Sequence, residues 1–283
     1  MKQFLIAISF CCLSSFTFGQ KKDKELSDDV NVRCYYLFSK KKDTNSPVFR
    51  RDTMALDIGK QVSRFYDPAR LGRDSALADM MTSIRGPELK SVSIFKDGKQ
   101  DLSKMPGTKQ SNTMEGESYQ IVKDKQTGLI TVFDYINTIG AMKFQYEDQF
   151  PKLNWQLVEG TDTIATYVCQ KAVLKFRGRN YTAWFSPEIP INDGPWKFAG
   201  LPGLILKVED ADQIFSFTLI GMTQPKTPIP MLITKSDYLK CTRAEFAKQL
   251  EKQGLGAQIN FTNGAMIVNS FPGKYEPTLM ELE

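Results

Sequence analysis

Apolar and polar residues alternate in short runs along most of this chain, and polar segments rich in turn-forming residues separate the runs. Alternation with a period of two is typical of a β-strand that has one buried face. It predicts strands at residues 30–39, 48–58, 62–66, 119–122, 129–135, 142–146, 154–158, 181–186, 204–209 and 214–220. Turn residues at 124–128 and 210–212 predict that the strands on either side of them form hairpins.

The longest alternating run covers residues 163–177 and predicts one long strand. One of its faces is mainly apolar, with Ile164, Val168 and Leu174 among its residues. The chain is expected to turn at 178–180, where glycine and asparagine occur, and to return along the next strand.

Helical patterns are scarcer than strand patterns. Asp74 is placed to cap a short helix over residues 75–83. Near the end of the chain, Thr242 and Glu245 have the spacing of a capping box, which predicts a helix that ends near Gln253.

Many short strands and two short helices predict a mainly β (α+β) protein. Its sheet is expected to be a single antiparallel meander that can curl into a half-barrel. One domain over residues 30–283 accommodates these elements. Residues 20–29 are almost wholly polar or charged and predict a disordered leader.

The first nineteen residues have the pattern of a secretory signal peptide. Lys2 precedes an apolar run at 4–10, and small residues lead to a cleavage point near Gly19. This apolar run is far shorter than the ~20 residues that a membrane-spanning helix needs. A lipoprotein alternative would place the lipid on Cys11 or Cys12, but each follows a residue larger than the small one expected there. The sequence therefore predicts export, either to the periplasm or to the outer membrane and cell surface.

Composition narrows the possible chemistry. The chain has no histidine, which removes Ser-His-Asp and Cys-His catalysis and the commonest transition-metal ligand. We therefore expect no metal and no cofactor. The formal net charge is +5, and the basic residues are spread along the chain, so nucleic-acid binding is not expected either.

Three cysteines follow the predicted cleavage point: Cys34, Cys169 and Cys241. Their spacing leaves two alternatives, three buried thiols or one Cys34–Cys169 disulfide. The most apolar later segment, 201–208, contains Pro202 and Lys207. No transmembrane segment is therefore predicted after the signal peptide.

Residues 167–210 combine strands with a stiff loop that is rich in proline and glycine. One interpretation is a rigid corner whose apolar residues enter the core, namely Ile189, Ile191, Phe198 and Leu201. The other is a binding edge of aromatic and charged side chains, which interfaces favour. Its candidate residues are Arg177, Arg179, Trp184, Glu188, Trp196 and Lys197.

The same segment carries a recognisable motif, the hexapeptide Gly200, Leu201, Pro202, Gly203, Leu204 and Ile205. With the Cys-Gln-Lys-Ala, Phe-Arg-Gly-Arg and Ala-Trp-Phe segments before it, this stretch resembles the GLPGLI family of bacterial envelope proteins. The resemblance covers residues 163–210. It implies an exported protein of bacteria with two membranes, and it supplies no catalytic residues.

Two functions follow as expectations. The first is a non-enzymatic binding or accessory protein that acts through residues 177–203 on an envelope protein or an extracellular peptide. The second is a periplasmic carrier that holds an apolar ligand in a half-barrel similar to lipoprotein carriers or lipocalins. A histidine-free hydrolase, with paired acids such as Glu188 and Asp193, has no supporting motif.

Overall fold

The structure is a computed structural model. It describes residues 28–41, 44, 47–75, 116–136, 142–231, 233, 238–253, 257–262, 265–270 and 280–282. The predicted signal peptide, most of the predicted leader and residues 76–83 of the first predicted helix lie outside the described residues. The last two leader residues, Asp28 and Asp29, are described. The Asp28 carboxylate is held against the start of β3, because it accepts hydrogen bonds from the amides of Gln61 and Val62.

The described residues form fourteen strands and two helical segments. The first strands are β1 (Val32–Lys41), β2 (Phe49–Ile58), β3 (Val62–Tyr66), β4 (Gln120–Asp124), β5 (Leu129–Ile136) and β6 (Met142–Gln149). They are followed by β7 (Gln156–Ile164), β8 (Tyr167–Phe176), β9 (Arg179–Ser186), β10 (Leu204–Asp210), β11 (Phe215–Thr223), β12 (Leu239–Lys240), β13 (Ala257–Thr262) and β14 (Ala265–Ser270). Helix α1 is described over 68–75, and α2 is Arg243–Gln253.

Twelve strands make one sheet in the order β12-β6-β5-β4-β3-β2-β1-β11-β10-β9-β8-β7. It consists of two antiparallel meanders, β1 to β6 and β7 to β11, joined by the pairing of β1 with β11. The predicted mainly β meander with two helices is confirmed. One detail differs: β12 pairs with β6 in parallel, so the sheet is mixed. Strands β13 and β14 pair only with each other among the described residues.

The connection between β6 and β7 shows how strongly the sheet curves. These strands lie ten strand steps apart, which is about 48 Å along the sheet. Only residues 150–155 join them, and so short a segment spans at most about 24 Å. The sheet must therefore bend until its two ends approach each other. Because the edge strand β7 pairs with neither β12 nor β6, the sheet stays open rather than closing into a barrel.

The inner face of the curved sheet holds the main core. Aromatic rings from both meanders meet there: Phe38 stacks on Phe217 with ring centroids 4.5 Å apart, and Phe65 contacts the same ring edge-on at 5.6 Å. A smaller cluster covers the outer face of β3 to β5, where Met231 and Ile233 pack on Val122 and Phe133. Strands β3 to β5 are therefore largely buried on both faces.

The start of α1 differs from the predicted start. Asp67 caps the helix, since its carboxylate accepts a hydrogen bond from the amide of Arg70, and Pro68 occupies the first helical position. Asp74, the predicted cap, lies inside the helix and pairs with Arg70 at 2.9 Å. The capping box of α2 is confirmed: the Glu245 carboxylate accepts the amide of Thr242 at 2.7 Å.

The predicted single strand over 163–177 is wrong. Ala165 and Thr166 form a two-residue turn between β7 and β8, so this run is the end of one strand and most of the next. Cysteine pairing is also settled. Cys34, Cys169 and Cys241 are all free, and the first two are buried. In the described part of the chain, no helix has the length and apolarity to cross a membrane.

Candidate functional site

Residues 187–203 leave the sheet after β9 and return to it at β10, and between these points they fill the hollow of the curved sheet. We call this segment the plug. Trp196, Phe198 and Leu201 are at most 4% exposed. Phe198 contacts Tyr181 of β9 at 4.9 Å between ring centroids. The predicted rigid corner is thus observed, and the plug is a central part of the core.

One end of the plug is fixed by a buried ion pair. Lys123 of β4 reaches inward and pairs with Asp193, and both side chains are at most 2% exposed. The same ammonium group donates to the carbonyls of Gly194 at 2.7 Å and Phe198 at 3.3 Å. Burial lowers the pKa of Lys123, and the nearby Asp193 carboxylate opposes this shift. Three acceptors match the three protons of an ammonium group, so the lysine is held in its charged form.

A second lysine fixes the middle of the plug. The ammonium group of Lys197 lies 2.5 Å from a Glu281 oxygen and 3.7 Å from Asp148 of β6, although its side chain is only 2% exposed. Residues 280–282 therefore pack against the plug, and the hydroxyl of Tyr181 donates to the Met280 carbonyl at 3.0 Å. The plug is held by both meanders and by a segment near the end of the chain.

Steric limits explain the second glycine of the hexapeptide. Gly203 has φ of 153°, and a Cβ atom there would lie 2.1 Å from the carbonyl oxygen of Ser186. No side chain fits such a position without moving the backbone of β9. The end of the plug can therefore rejoin β10 directly beside the end of β9 only with glycine at this position.

The six predicted binding residues do not form one surface. Arg179, Trp196 and Lys197 are buried. Arg179 lies 3.4 Å from Asp210, and its guanidinium group stacks over Phe215. The accessible residues are Arg177, Trp184 and Glu188, and they are spread along β9 and its two ends. Trp184 lies five residue steps, about 17 Å, along β9 from Arg179. Arg177 lies in the turn before β9, so it and Trp184 cannot bind the same small group.

Trp184 belongs to a different arrangement, which sequence reasoning missed. It lies directly opposite Lys171 of β8 and Lys207 of β10, on the outer face of the sheet. The two ammonium groups lie 5.9 Å and 4.4 Å from its ring centroid. We call these three side chains the outer strip. Only the strand register reveals it, because the three residues are far apart in sequence.

A cluster of charged groups lies at one end of the sheet, where β1 and β5 end and β2 begins. We call it the rim cluster, and it consists of Lys40, Arg50, Asp52, Glu117 and Asp134. Arg50 pairs with Glu117 and with Asp52, and Lys40 lies 3.7 Å from Glu117. Burial raises the pKa of Asp134 to about 7 and lowers that of Lys40 to about 8. Two of its groups thus change charge near neutral pH, while the cluster is largely paired within itself.

A shallow cleft of about 450 Å³ lies between the edge of β6 and the start of α2. Its lining includes Asp148, Cys241 and Arg243. Asp148 already faces Arg177 at 3.1 Å and Arg243 at 3.7 Å, so its carboxylate is occupied by cations of the same chain. Two other charged residues of the lining, Glu147 and Lys240, are exposed to solvent.

A family model described as "Protein of unknown function (Porph_ging)" matches residues 175–207. These residues run from the end of β8 through the plug into β10. No curated protein matches the chain. The match therefore falls on the segment that fills the hollow, and it is a similarity over a short part of the chain.

Two solved structures resemble the fold. Both are of PNGF-II, in space groups P21 and C2, with TM-scores of 0.49 and 0.48 and sequence identities of 11% and 10%. The similar region covers 82% and 85% of this chain. The chain spans about a third of the length of those proteins, 35% in each case. At this level of similarity, no function is carried over from PNGF-II.

Proposed function

We propose that this chain is an exported, non-enzymatic envelope protein that binds a protein or peptide partner through the outer strip. The signal-peptide pattern of residues 1–19 and the resemblance to the GLPGLI family support export. The family match over 175–207 includes the hexapeptide, which agrees with that resemblance. Such a protein would act in the periplasm or at the outer membrane and cell surface.

The observation that carries the proposal is the position of Trp184. It is a half-buried aromatic residue on the solvent side of the sheet, and a lysine flanks it on each neighbouring strand. Tryptophan is among the residues that contribute most to binding energy at protein interfaces. A rigid sheet also fixes the spacing of the three side chains before a partner arrives, which lowers the entropic cost of binding.

A co-purification experiment tests this function. Tagged protein is used to recover partners from an envelope extract of its own host, with wild type compared with Trp184→Ala. We expect the variant to lose the partners that wild type recovers. Because the Trp184 ring is half-buried and also packs against the main core, melting temperatures of both proteins check that the variant stays folded in the experiment. Ile220→Ala on β11 is the matched control, since Ile220 is 54% exposed and lies outside the strip. Equal recovery by wild type and Trp184→Ala would contradict the proposal.

Arg179 cannot serve as a probe of binding. Its side chain is 4% exposed and is held by Asp210, so Arg179→Ala would leave a buried carboxylate without its cation. A loss of binding in that variant would report unfolding rather than a lost contact. Trp184 avoids this difficulty.

The carrier function is the weaker candidate, because the hollow that would hold an apolar ligand is occupied. Within the described residues, aromatic rings of the plug fill the space between the two meanders: Trp196 and Phe198 lie 5.1 Å apart, and Trp155 approaches Phe198 at 6.0 Å. The indole of Trp155 also donates to the Ala199 carbonyl at 2.8 Å, which fastens the β6–β7 connection to the plug. A ligand could enter this space only if the plug left it.

A further inference from the structure

The outer strip is the centre of a longer row of side chains. Following the strand register outward from Lys171 leads to Val158 of β7, which is 39% exposed. Following it from Lys207 leads to Thr218 of β11 and then to Leu37 of β1. Directly opposed residues share one face of a sheet, so these side chains form a continuous line across the strands.

The line has a cationic and aromatic centre and an apolar residue near each end. Val158 lies at the β7 end, and Leu37 lies one strand before the other end, where it is opposite Thr53 of β2. Lys171 and Lys207 flank Trp184 in the middle. From β7 to β1 there are five strand steps, or about 24 Å. An extended polypeptide covers that distance with about seven residues.

Charges around the centre favour an anionic occupant. Lys171 and Lys175 of β8 face outward, as does Lys207 of β10. The carboxylate of Glu209 lies 2.8 Å from the ammonium group of Lys207. Glu209 therefore neutralises part of the charge of Lys207. Lys171 has no carboxylate partner among the described residues, so its ammonium group can pair with an incoming acid. The centre keeps a positive excess that a carboxylate would complement.

We infer that the partner presents an extended segment of about seven residues with acidic side chains at its centre and an apolar side chain at each end. This inference rests on the proposed function, since it names the chemistry that the outer strip binds. The apolar ends favour a polypeptide over an acidic polysaccharide, because sugar units are covered with hydroxyl groups and gain little from Val158 and Leu37. The indole ring supplies the flat contact between the two cations.

Fluorescence anisotropy at low salt tests the inference with the mature chain. The probe is a labelled seven-residue peptide with acidic residues at its three central positions and leucine at both ends. A second peptide with lysines at those central positions is the charge-reversed control. We expect the acidic peptide to bind and the basic one not to bind. Trp184→Ala and Lys171→Gln/Lys207→Gln should each weaken binding about tenfold or more.

A charge-matched control separates the strip from general attraction between a basic protein and an acid. Lys226→Gln/Lys248→Gln removes the same charge from residues outside the line and should leave affinity within about twofold of wild type. Equal weakening by both double variants would overturn the inference. Tighter, Trp184-dependent binding of dextran sulfate would also overturn it, in favour of a polysaccharide.

The two proposals can fail separately. If no acidic peptide binds but co-purification of partners still depends on Trp184, the inference on partner chemistry is wrong and the binding function stands. If neither peptide binding nor co-purification depends on Trp184, the outer strip is not the binding surface.

Discussion

The two turns that bound β8 have the same backbone geometry. Ala165 and Thr166 have φ of 48° and 75°, and Arg177 and Gly178 have φ of 48° and 75°. Two-residue hairpin turns with both residues at positive φ suit asparagine and glycine, whereas a β-branched residue such as Thr166 is strained there. The first turn therefore has backbone strain at Thr166, and the second turn avoids this strain because glycine occupies the equivalent position, Gly178.

Replacing Ala165 and Thr166 by Asn and Gly is expected to stabilise the protein by about 1 kcal/mol. The gain comes from removing left-handed strain, and the greater freedom of glycine in the unfolded chain offsets part of it. Urea unfolding of the double variant and of wild type measures the difference. Gly178→Thr is the mirror-image control and should destabilise the protein by a similar amount. An unchanged or lower urea midpoint for the double variant would contradict this assignment of strain.

Residue chemistry also explains where sequence-based prediction failed. Gly178 signalled the second turn, but alanine followed by threonine signals no turn, so β7 and β8 were merged. Lys197 and Arg179 were predicted to be accessible because charged side chains are rarely buried without partners. Their partners Glu281 and Asp210 lie far along the chain, and no local pattern connects them.

At the scale of elements, alternation predicted many strands well because strands such as β1, β8 and β9 have one buried face and one more exposed face. Strand β1 alternates between buried and half-buried residues along its length. The apolar entry of the plug into the core was also predicted, and Ile189, Phe198 and Leu201 are buried there. The curvature of the sheet and the outer strip were not predictable, since both depend on pairings between strands distant in sequence.

The ion pair that fixes the plug gives an element-scale prediction. Lys123→Met leaves the buried Asp193 carboxylate with only the more exposed Lys125, whose ammonium group lies 4.0 Å away, and we expect a loss of about 3 kcal/mol in the free energy of unfolding. Adding Asp193→Asn removes that charge and should restore more than half of the loss. Urea unfolding of both variants gives the comparison. A double variant no more stable than Lys123→Met would show that the carboxylate is not what the lysine stabilises.

At the scale of the whole molecule, the rim cluster makes stability depend on pH. Burial raises the pKa of Asp134 to about 7, well above its unfolded value, so the folded state keeps a proton that the unfolded chain has lost. Stability therefore falls as pH rises from about 4 towards 7. Lys40 affects stability in the opposite direction. Burial lowers its pKa to about 8, so the folded protein loses this unfavourable charge, and stability rises, as pH increases above about 8.

We therefore expect melting temperature to decrease between pH 5.5 and 7.5 and to level off or recover slightly by pH 8.5. Asp134→Asn should remove most of the decrease, since the amide oxygen can still accept the Ser118 hydroxyl, 2.6 Å away. Scanning calorimetry of both proteins over this range measures the effect. If the melting temperature of Asp134→Asn falls as much as that of wild type, other groups cause the decrease. Asp74 is one such group, because burial also raises its pKa.

The pairing of β1 with β11 has a consequence for the order of folding. Each meander is built from neighbours in sequence and can form as soon as its own strands are available. Strand β1 also pairs with β11, the last strand of the second meander, where Tyr36 lies opposite Leu219. This pair can form only after almost the whole second meander has been made. Loop closure over so long a separation is slow. As the chain emerges from its N-terminal end, one edge of the first meander thus stays unpaired until the second meander is complete. This is the interval in which a chaperone that holds unfolded chains would matter most.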